Sequence, residues 1–405
     1  MNKIKCAARM EDVHSDIRGP IFLEAMEMEK RGEKILKLNT GNPATFGFTM
    51  PSSIKNAIAE NLGAGVGYCD FRGMPAAREA ICEYHKSKGI VGITADDVFI
   101  GNGVSEVVSF ALTPLLNDGD EVLLPCPCYS LWSNSVLLCG AKPVFYRCDE
   151  AADWNPDIKD IRAKISKKTK AIVIINPNNP TGVLYSKDIL LEIAKVAREF
   201  GLLVFSDEIY DRLVMDGLVH HSFASLAPDI PVVTMNGLSK SHFLCGFRSG
   251  WMIISGPKEP TEEYRAAIVK LTSMRLCANT PSQIIIPAAL KDFETPAATV
   301  RPGGRFYEQR EATAEQLSKI DGISFVKNNS AFYIFAKLDV DKFGITDDKK
   351  FARDLLHATN ILVVPGSGFE WSEPDHFRIV MLPEAEVMRD AMKRLGEFLK
   401  GYKQR

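Results

Sequence analysis

Seven short apolar runs, rich in β-branched residues, recur through the middle of the chain. They are Val98–Gly101, Glu121–Leu124, Pro143–Arg147, Ala171–Ile175, Leu202–Ser206, Val232–Met235 and Trp251–Ile254. Each ends in Gly, Pro, Asn or another turn residue. Between them lie amphipathic helical patterns such as Ser105–Leu116 and Ser186–Phe200. Runs without polar alternation are buried on both faces, and strands that alternate with helices make a mostly parallel sheet covered on both sides. The expected fold class is therefore α/β with a seven-stranded, mostly parallel sheet.

The two ends of the chain read differently. Ile21–Gly32 has a helical pattern and Ile35–Asn39 a strand pattern. Beyond about residue 295, a charged helix at Arg305–Lys319 precedes strand-like runs at Ser324–Val326, Ala331–Ala336, Ile361–Val364 and Phe377–Met381. This pattern predicts a smaller α+β domain built from both termini. The expected division is residues 1–45 as an arm and part of the small domain, 46–295 as the large domain, and 296–405 as the rest of the small domain.

Composition narrows the function classes. Lys plus Arg is 49 and Asp plus Glu is 51, a net charge of −2 over 405 residues. That balance lacks the basic footprint of a protein that works on nucleic acid or an anionic membrane. The nine cysteines are scattered, with no Cys-x-x-Cys pair, and no histidine stands at zinc spacing from a cysteine pair. Free thiols and no metal site are expected. Met1–Pro20 is charged throughout without an apolar core, and no stretch reaches the roughly 18 apolar residues of a membrane helix. A cytoplasmic location is the expectation.

In open α/β sheets, ligands bind beyond the carboxyl ends of the strands. Five such ends carry chemistry. Gly101-Asn102-Gly103-Val104-Ser105 opens a helix and offers backbone N–H groups to an anion, although Gly and Ser are also ordinary turn and cap residues. Tyr129, after Pro125-Cys126-Pro127-Cys128, is an aromatic face for a flat ligand, or loop packing. Asn176-Pro177-Asn178-Asn179-Pro180-Thr181-Gly182 is a rigid turn studded with amide donors. Asp207, in Ser206-Asp207-Glu208-Ile209-Tyr210, is a carboxylate that needs a cation if buried, or else a helix N-cap; Tyr210 shares its face if the segment is helical. Lys240, in Asn236-Gly237-Leu238-Ser239-Lys240, would elsewhere be a surface amine, and Arg248 follows eight residues later. An aromatic ring with a phosphate, a cationic ring nitrogen and an aldehyde would use this whole set. Pyridoxal phosphate is that ligand.

The motifs at 176–182, 206–210 and Ser239-Lys240-x7-Arg248, in this order, resemble the fold-type I, class I/II aminotransferases, which depend on pyridoxal phosphate. The resemblance runs from Gly41-Asn42-Pro43 to Arg378. Asp16-Ile17-Arg18-Gly19-Pro20, Leu38–Pro43 and Ser273–Asn279 look most similar to the bacterial glutamate–pyruvate (alanine) branch. The resemblance implies a catalytic Lys240 that carries the cofactor and moves the substrate proton. It implies Asp207 at the ring nitrogen and Tyr210 and Asn179 at the ring hydroxyl. Tyr129 would stack on the ring, and Val104, Ser105 and Arg248 would hold the phosphate. Arg378, Asn179 and the Gly41 backbone would grip the substrate α-carboxylate. Tyr68 would reach the phosphate of a second subunit's cofactor, implying a homodimer.

Two positions depart from the family pattern. A serine expected three residues before the lysine is Gly237 here, which leaves Ser239 as a substitute phosphate ligand. A tyrosine expected before Asp16 is Ser15. The expected reaction moves an amino group between alanine/pyruvate and glutamate/2-oxoglutarate, with Arg18 as a mobile cation for the distal carboxylate. Other substrates on the same chemistry (aromatic, methionine or branched-chain amino acids) and a C–S lyase of the same fold are the alternatives. A regulator derived from such an enzyme would carry an added basic DNA-binding module, which this chain does not show.

Overall fold

A computed structural model describes residues 3–404. After a two-residue strand β1 (Leu36–Lys37), one sheet takes eight strands in succession. They are β2 (Val98–Asn102), β3 (Glu121–Cys126), β4 (Lys142–Asp149), β5 (Asn155–Pro156), β6 (Thr169–Ile175), β7 (Leu203–Asp207), β8 (Val232–Gly237) and β9 (Ser249–Ser255). The spatial order is β2-β9-β8-β7-β6-β3-β4-β5. All seven expected runs are strands. The eighth, β5, is a two-residue ribbon pairing antiparallel with the end of β4, too short to leave a pattern in the sequence.

Strands β4, β3, β6, β7 and β8 are mutually parallel. β9 runs against both of its neighbours, β8 and β2. Its start at Ser249 therefore lies at the sheet edge where β2, β3, β6, β7 and β8 end. Alternation along the strands buries both faces. Ala171, Val173 and Ile175 of β6 join Phe205 and Val233 in one core, while Ile172 and Ile174 join Val204 and Val232 in another. The helix Lys187–Phe200 shows why the intervening segments fold. Ser186 caps it by accepting from the Ile189 N–H at 3.3 Å, Leu190, Ile193, Ala194 and Ala197 face the sheet, and Gly201 ends it at φ +64°.

A second sheet holds β10 (Ile323–Phe325), β11 (Tyr333–Leu338), β13 (Val364–Pro365) and β14 (His376–Val380) in the order β10-β11-β14-β13, all antiparallel. Between them in sequence, β12 (Ile361–Leu362) pairs in parallel with β1. The run expected as one strand at Ile361–Val364 is thus split at Val363, because its halves pair with different partners. Ile21, Ala25, Met28 and Leu38 from the start of the chain pack with Phe351, Leu355, Met388 and Leu395 from its end in one core. That core sets β14 and the residues just after β1 beside the carboxyl edge of the large sheet.

Candidate active site

A cleft of about 700 Å³ opens at that edge. It is lined by Arg18, Gly41, Val104, Ser105, Tyr129, Asn179, Asp207, Tyr210, Ser239, Lys240, Arg248 and Arg378. Tyr68 is not among them. It is 83% exposed.

At the end of β2, Gly103 adopts φ +82°, and a Cβ there would sit 2.2 Å from Arg248 Nη2. Only glycine lets the guanidinium lie against this backbone. The helix Val104–Leu112 starts directly beyond, so its first N–H groups, which have no intrahelical acceptor, face the cleft. Arg248 itself precedes β9, takes φ +59° and donates from Nη1 to the Cys245 carbonyl at 2.9 Å. Glu106 braces this cradle: Oε2 accepts from the Asn102 N–H at 2.7 Å and Oε1 from Asn102 Nδ2 at 3.0 Å, while Arg275 Nη1 donates to Oε2.

The loop after β6 divides its asparagines by task. Asn176 Oδ1 accepts from the Tyr185 N–H at 2.8 Å, and Asn178 Oδ1 accepts from the Thr181 hydroxyl at 2.9 Å. Both hold the loop in shape. Asn179 alone lines the cleft, where its Oδ1 accepts from Arg378 Nη1 at 2.8 Å.

Asp207 ends β7 and is buried. Its Oδ2 accepts from Trp132 Nε1 at 3.2 Å and its Oδ1 from the Ile209 N–H at 3.3 Å. Burial pushes its carboxyl up to about 6, against the pull of Trp132, Ile209 and Lys240. Asp207 caps no helix: residues 208–211 form a turn, with the Asp211 N–H donating to the Glu208 carbonyl at 3.0 Å. The turn, rather than a helical face, presents Tyr210, whose hydroxyl lies 2.6 Å from that of Tyr333.

Lys240 Nζ donates to the Gly41 carbonyl at 2.9 Å. A Cβ at Gly41 would lie 2.7 Å from the Tyr333 hydroxyl and 3.3 Å from Lys240 Nζ, so a side chain there would crowd the amine. At Gly237 a Cβ would meet the Ser249 carbonyl oxygen at 2.6 Å. A serine at this position would need the local backbone to shift.

Arg378 on β14 is 2% exposed. Its guanidinium sits 4.7 Å from the Tyr333 ring and 4.6 Å from the Phe369 ring, and Nη2 donates to the Asn39 carbonyl. Its Nε is buried with no hydrogen-bond partner among the described residues. Arg18 differs: it is exposed on a turn at the cleft rim and makes no hydrogen bond among the described residues. Its arm is pinned at two points just before it. Asn134 clamps the His14 backbone at 3.2 and 2.6 Å, and the Ile17 carbonyl accepts from Asn39 Nδ2 at 2.9 Å.

The sequence reading missed Trp132 and Tyr333. Trp132 lies one residue inside a helix with no motif around it, and Tyr333 comes from the small-domain sheet. Neither position carried a local signal.

These residues fit pyridoxal phosphate. A buried carboxylate lacks a full cationic partner, an amine is held only by a backbone carbonyl, an anion cradle is backed by a guanidinium, and a buried arginine keeps a donor free.

Relatives of known family match nearly the whole chain. Residues 33–395 match the family Aminotransferase class I and II. The chain is 51% identical, over 98% of both chains, to a Haemophilus influenzae protein named glutamate-pyruvate aminotransferase AlaA. A crystal structure of an aminotransferase from Escherichia coli superposes with a TM-score of 0.98 at 46% identity, covering 100% of both chains. An alanine aminotransferase from Pyrococcus furiosus superposes at 0.93 with 42% identity, covering 98% of this chain and 100% of that one. With the motifs, the cleft and these matches in agreement over nearly its whole length, the chain belongs to the class I and II aminotransferases, enzymes that depend on pyridoxal phosphate.

Proposed function

We propose that this enzyme exchanges amino groups between the alanine/pyruvate and glutamate/2-oxoglutarate pairs. The names of its relatives support that pairing. The observation that carries it is the contrast between two arginines at one cleft: Arg378 buried and braced, Arg18 exposed and unbraced. All four substrates share an α-carboxylate, which a fixed fork serves. Only glutamate and 2-oxoglutarate bring a second carboxylate. A cation that returns to water when alanine binds avoids an unpaired buried charge.

When bound, pyridoxal phosphate supplies a carbonyl for the amino group and an electron-withdrawing ring. The protein does the rest. Val104, Ser105, Ser239 and Arg248 would hold the phosphate, and Tyr129 would pack on the ring. Asp207 would keep a proton at the ring nitrogen, whose positive charge would be the partner its buried carboxyl lacks. Tyr210 and Asn179 would hydrogen-bond the ring hydroxyl. Lys240 would carry the cofactor, and its amine would move the proton at the substrate Cα. Gly41, Asn179 and Arg378 orient the α-carboxylate.

Residues 46–295 serve as the cofactor-binding domain, and 1–45 with 296–405 as the arm and small domain that close on the substrate. The enzyme works as a homodimer. Exposed Leu62, Val66, Tyr68, Met274 and Leu276 support this, with Tyr68 completing the partner's phosphate site. Among the described residues no helix is long and apolar enough to cross a membrane, and the nine cysteines are unpaired. The free thiols support a reducing, cytoplasmic setting.

The test is a panel of amino donors assayed with pyruvate and with 2-oxoglutarate. Alanine and glutamate should give the highest kcat/KM. A preference for aromatic or branched-chain donors would overturn the pairing, and elimination without transfer to either oxo acid would favour the lyase.

A further inference from the structure

Two residues before Arg378 on β14 lies His376, fully buried. Residues two apart on a strand share a face. The imidazole stacks on Phe335 at 4.7 Å and 21°, and Trp154 and Trp371 close over it edge-on at 5.4 and 5.1 Å. Phe335 is also the register partner of Arg378 across β11 and β14. The ring and the guanidinium thus share one packed wall.

The charges around the ring come from both sheets. His376 Nδ1 lies 2.7 Å from Asp375 Oδ1, which also accepts from Trp371 Nε1 at 2.8 Å. His376 Nε2 makes no hydrogen bond but faces Glu150 Oε1 at 3.4 Å. Glu150 follows β4 of the large sheet. Lys337 on β11 lies 2.8 Å from Glu150 and 3.7 Å from Asp375. These are the charged groups that face the ring. With the imidazole protonated, two cations meet two anions. With it neutral, one negative charge is left uncompensated. The contact to Glu150 is a contact between charges without a hydrogen bond, so it depends on that proton.

We propose that His376 is a positioning residue: its imidazolium, between Asp375 just before β14 and Glu150 just after β4, latches β14 to the end of β4 and so sets where Arg378 meets the substrate carboxylate. The effect on substrate rests on the reading of Arg378 given above. Burial pulls the imidazole down, but Asp375 and Glu150 outweigh it and hold the group above its ordinary value. A raised folded value means that the latch is complete below the unfolded value and is lost as pH rises through the folded one.

The experiment uses the holoenzyme, with Glu150→Gln as the main variant because Glu150 is only partly buried and the change keeps its size. His376→Gln is the second variant and Arg378→Lys the control. KM and kcat are measured for pyruvate from pH 6 to 9, since its carboxylate does not titrate there. Melting temperature is followed over the same range. Glu150→Gln should raise KM roughly three- to ten-fold near pH 6.5 with kcat within about two-fold, and flatten the rise of KM with pH. His376→Gln should do the same where it folds. The gap in melting temperature between wild type and Glu150→Gln should narrow from pH 6 to 9, because the Lys337 contact keeps its charge over that range and only His376 loses its own. If Glu150→Gln keeps the wild-type KM and pH profile while Arg378→Lys raises KM, the latch is refuted and the Arg378 reading stands. If Arg378→Lys leaves KM unchanged, that reading falls, and a melting gap constant with pH refutes the latch on its own.

Discussion

Replacing Arg378 by lysine keeps the charge and removes the fork. The wild-type guanidinium has five N–H donors. Two are committed inside the protein, to Asn179 Oδ1 at 2.8 Å and to the Asn39 carbonyl. Three remain, among them the buried and unpartnered Nε, enough for a parallel pair of bonds to a carboxylate. A lysine ammonium has three donors. If it keeps both internal partners, one is left for the substrate. The transition state therefore loses one charge-assisted hydrogen bond, about 1.5–3 kcal/mol. That corresponds to a roughly 10- to 150-fold fall in kcat/KM. The assay is steady-state kinetics with alanine and with glutamate, alongside an amine that has no α-carboxylate. Both amino acids should lose activity to a similar degree, mainly through KM, while the carboxylate-free amine keeps its rate. A loss shared by that amine, or confined to glutamate and 2-oxoglutarate, would refute the assignment.

Asp207→Asn should leave cofactor affinity near normal, read from visible absorbance after dilution, yet cut turnover by about ten-fold or more, because an amide cannot hold the proton at the ring nitrogen. Near-normal turnover would contradict that role. Arg18→Ala should lower kcat/KM for glutamate and 2-oxoglutarate by about ten-fold or more and spare alanine and pyruvate; equal losses, or none, would remove Arg18 as the switch. Asp211→Asn tests stability away from the reaction. Lys88 Nζ and the Tyr84 hydroxyl each lie 2.5 Å from Asp211 Oδ2, with the carboxylate buried and the ammonium partly so, so the variant should lose about 3 kcal/mol in denaturant unfolding. Burial pushes the Asp211 carboxyl up, but Lys88, His220 and Arg212 outweigh it and hold it well below the usual range. A lowered folded value means that its contribution is present above the unfolded value of about 3.9 and is lost as pH falls through the folded one. The gap between wild type and variant should therefore close in acid.

Local chemistry made much of this protein legible in its sequence. The seven β-branched runs announced the large sheet, because strands buried on both faces cannot alternate apolar with polar residues. The residues after five of these runs named the chemistry, because a parallel sheet sends those ends to one edge. The helix Lys187–Phe200 was readable from its cap, its apolar spacing and its closing glycine, all within one turn of where they act. Other features depend on pairings between distant segments, which leave no local trace. The reversed direction of β9, set by its neighbours, carries Arg248 to the phosphate edge although it precedes its strand. Whether Tyr210 shares a face with Asp207 depended on a helix that does not form: a turn at 208–211 holds it, with its hydroxyl against Tyr333 from another sheet. Asn176, Asn178 and Asn179 look alike in sequence, and only the contacts of Tyr185, Thr181 and Arg378 divide them into two braces and one cleft residue. The pairing of β1 with β12 closes the two ends of the chain over the large sheet. Burial of apolar surface is a property of single segments and is written in their composition. The meeting of charges from segments hundreds of residues apart is decided only when the chain is folded.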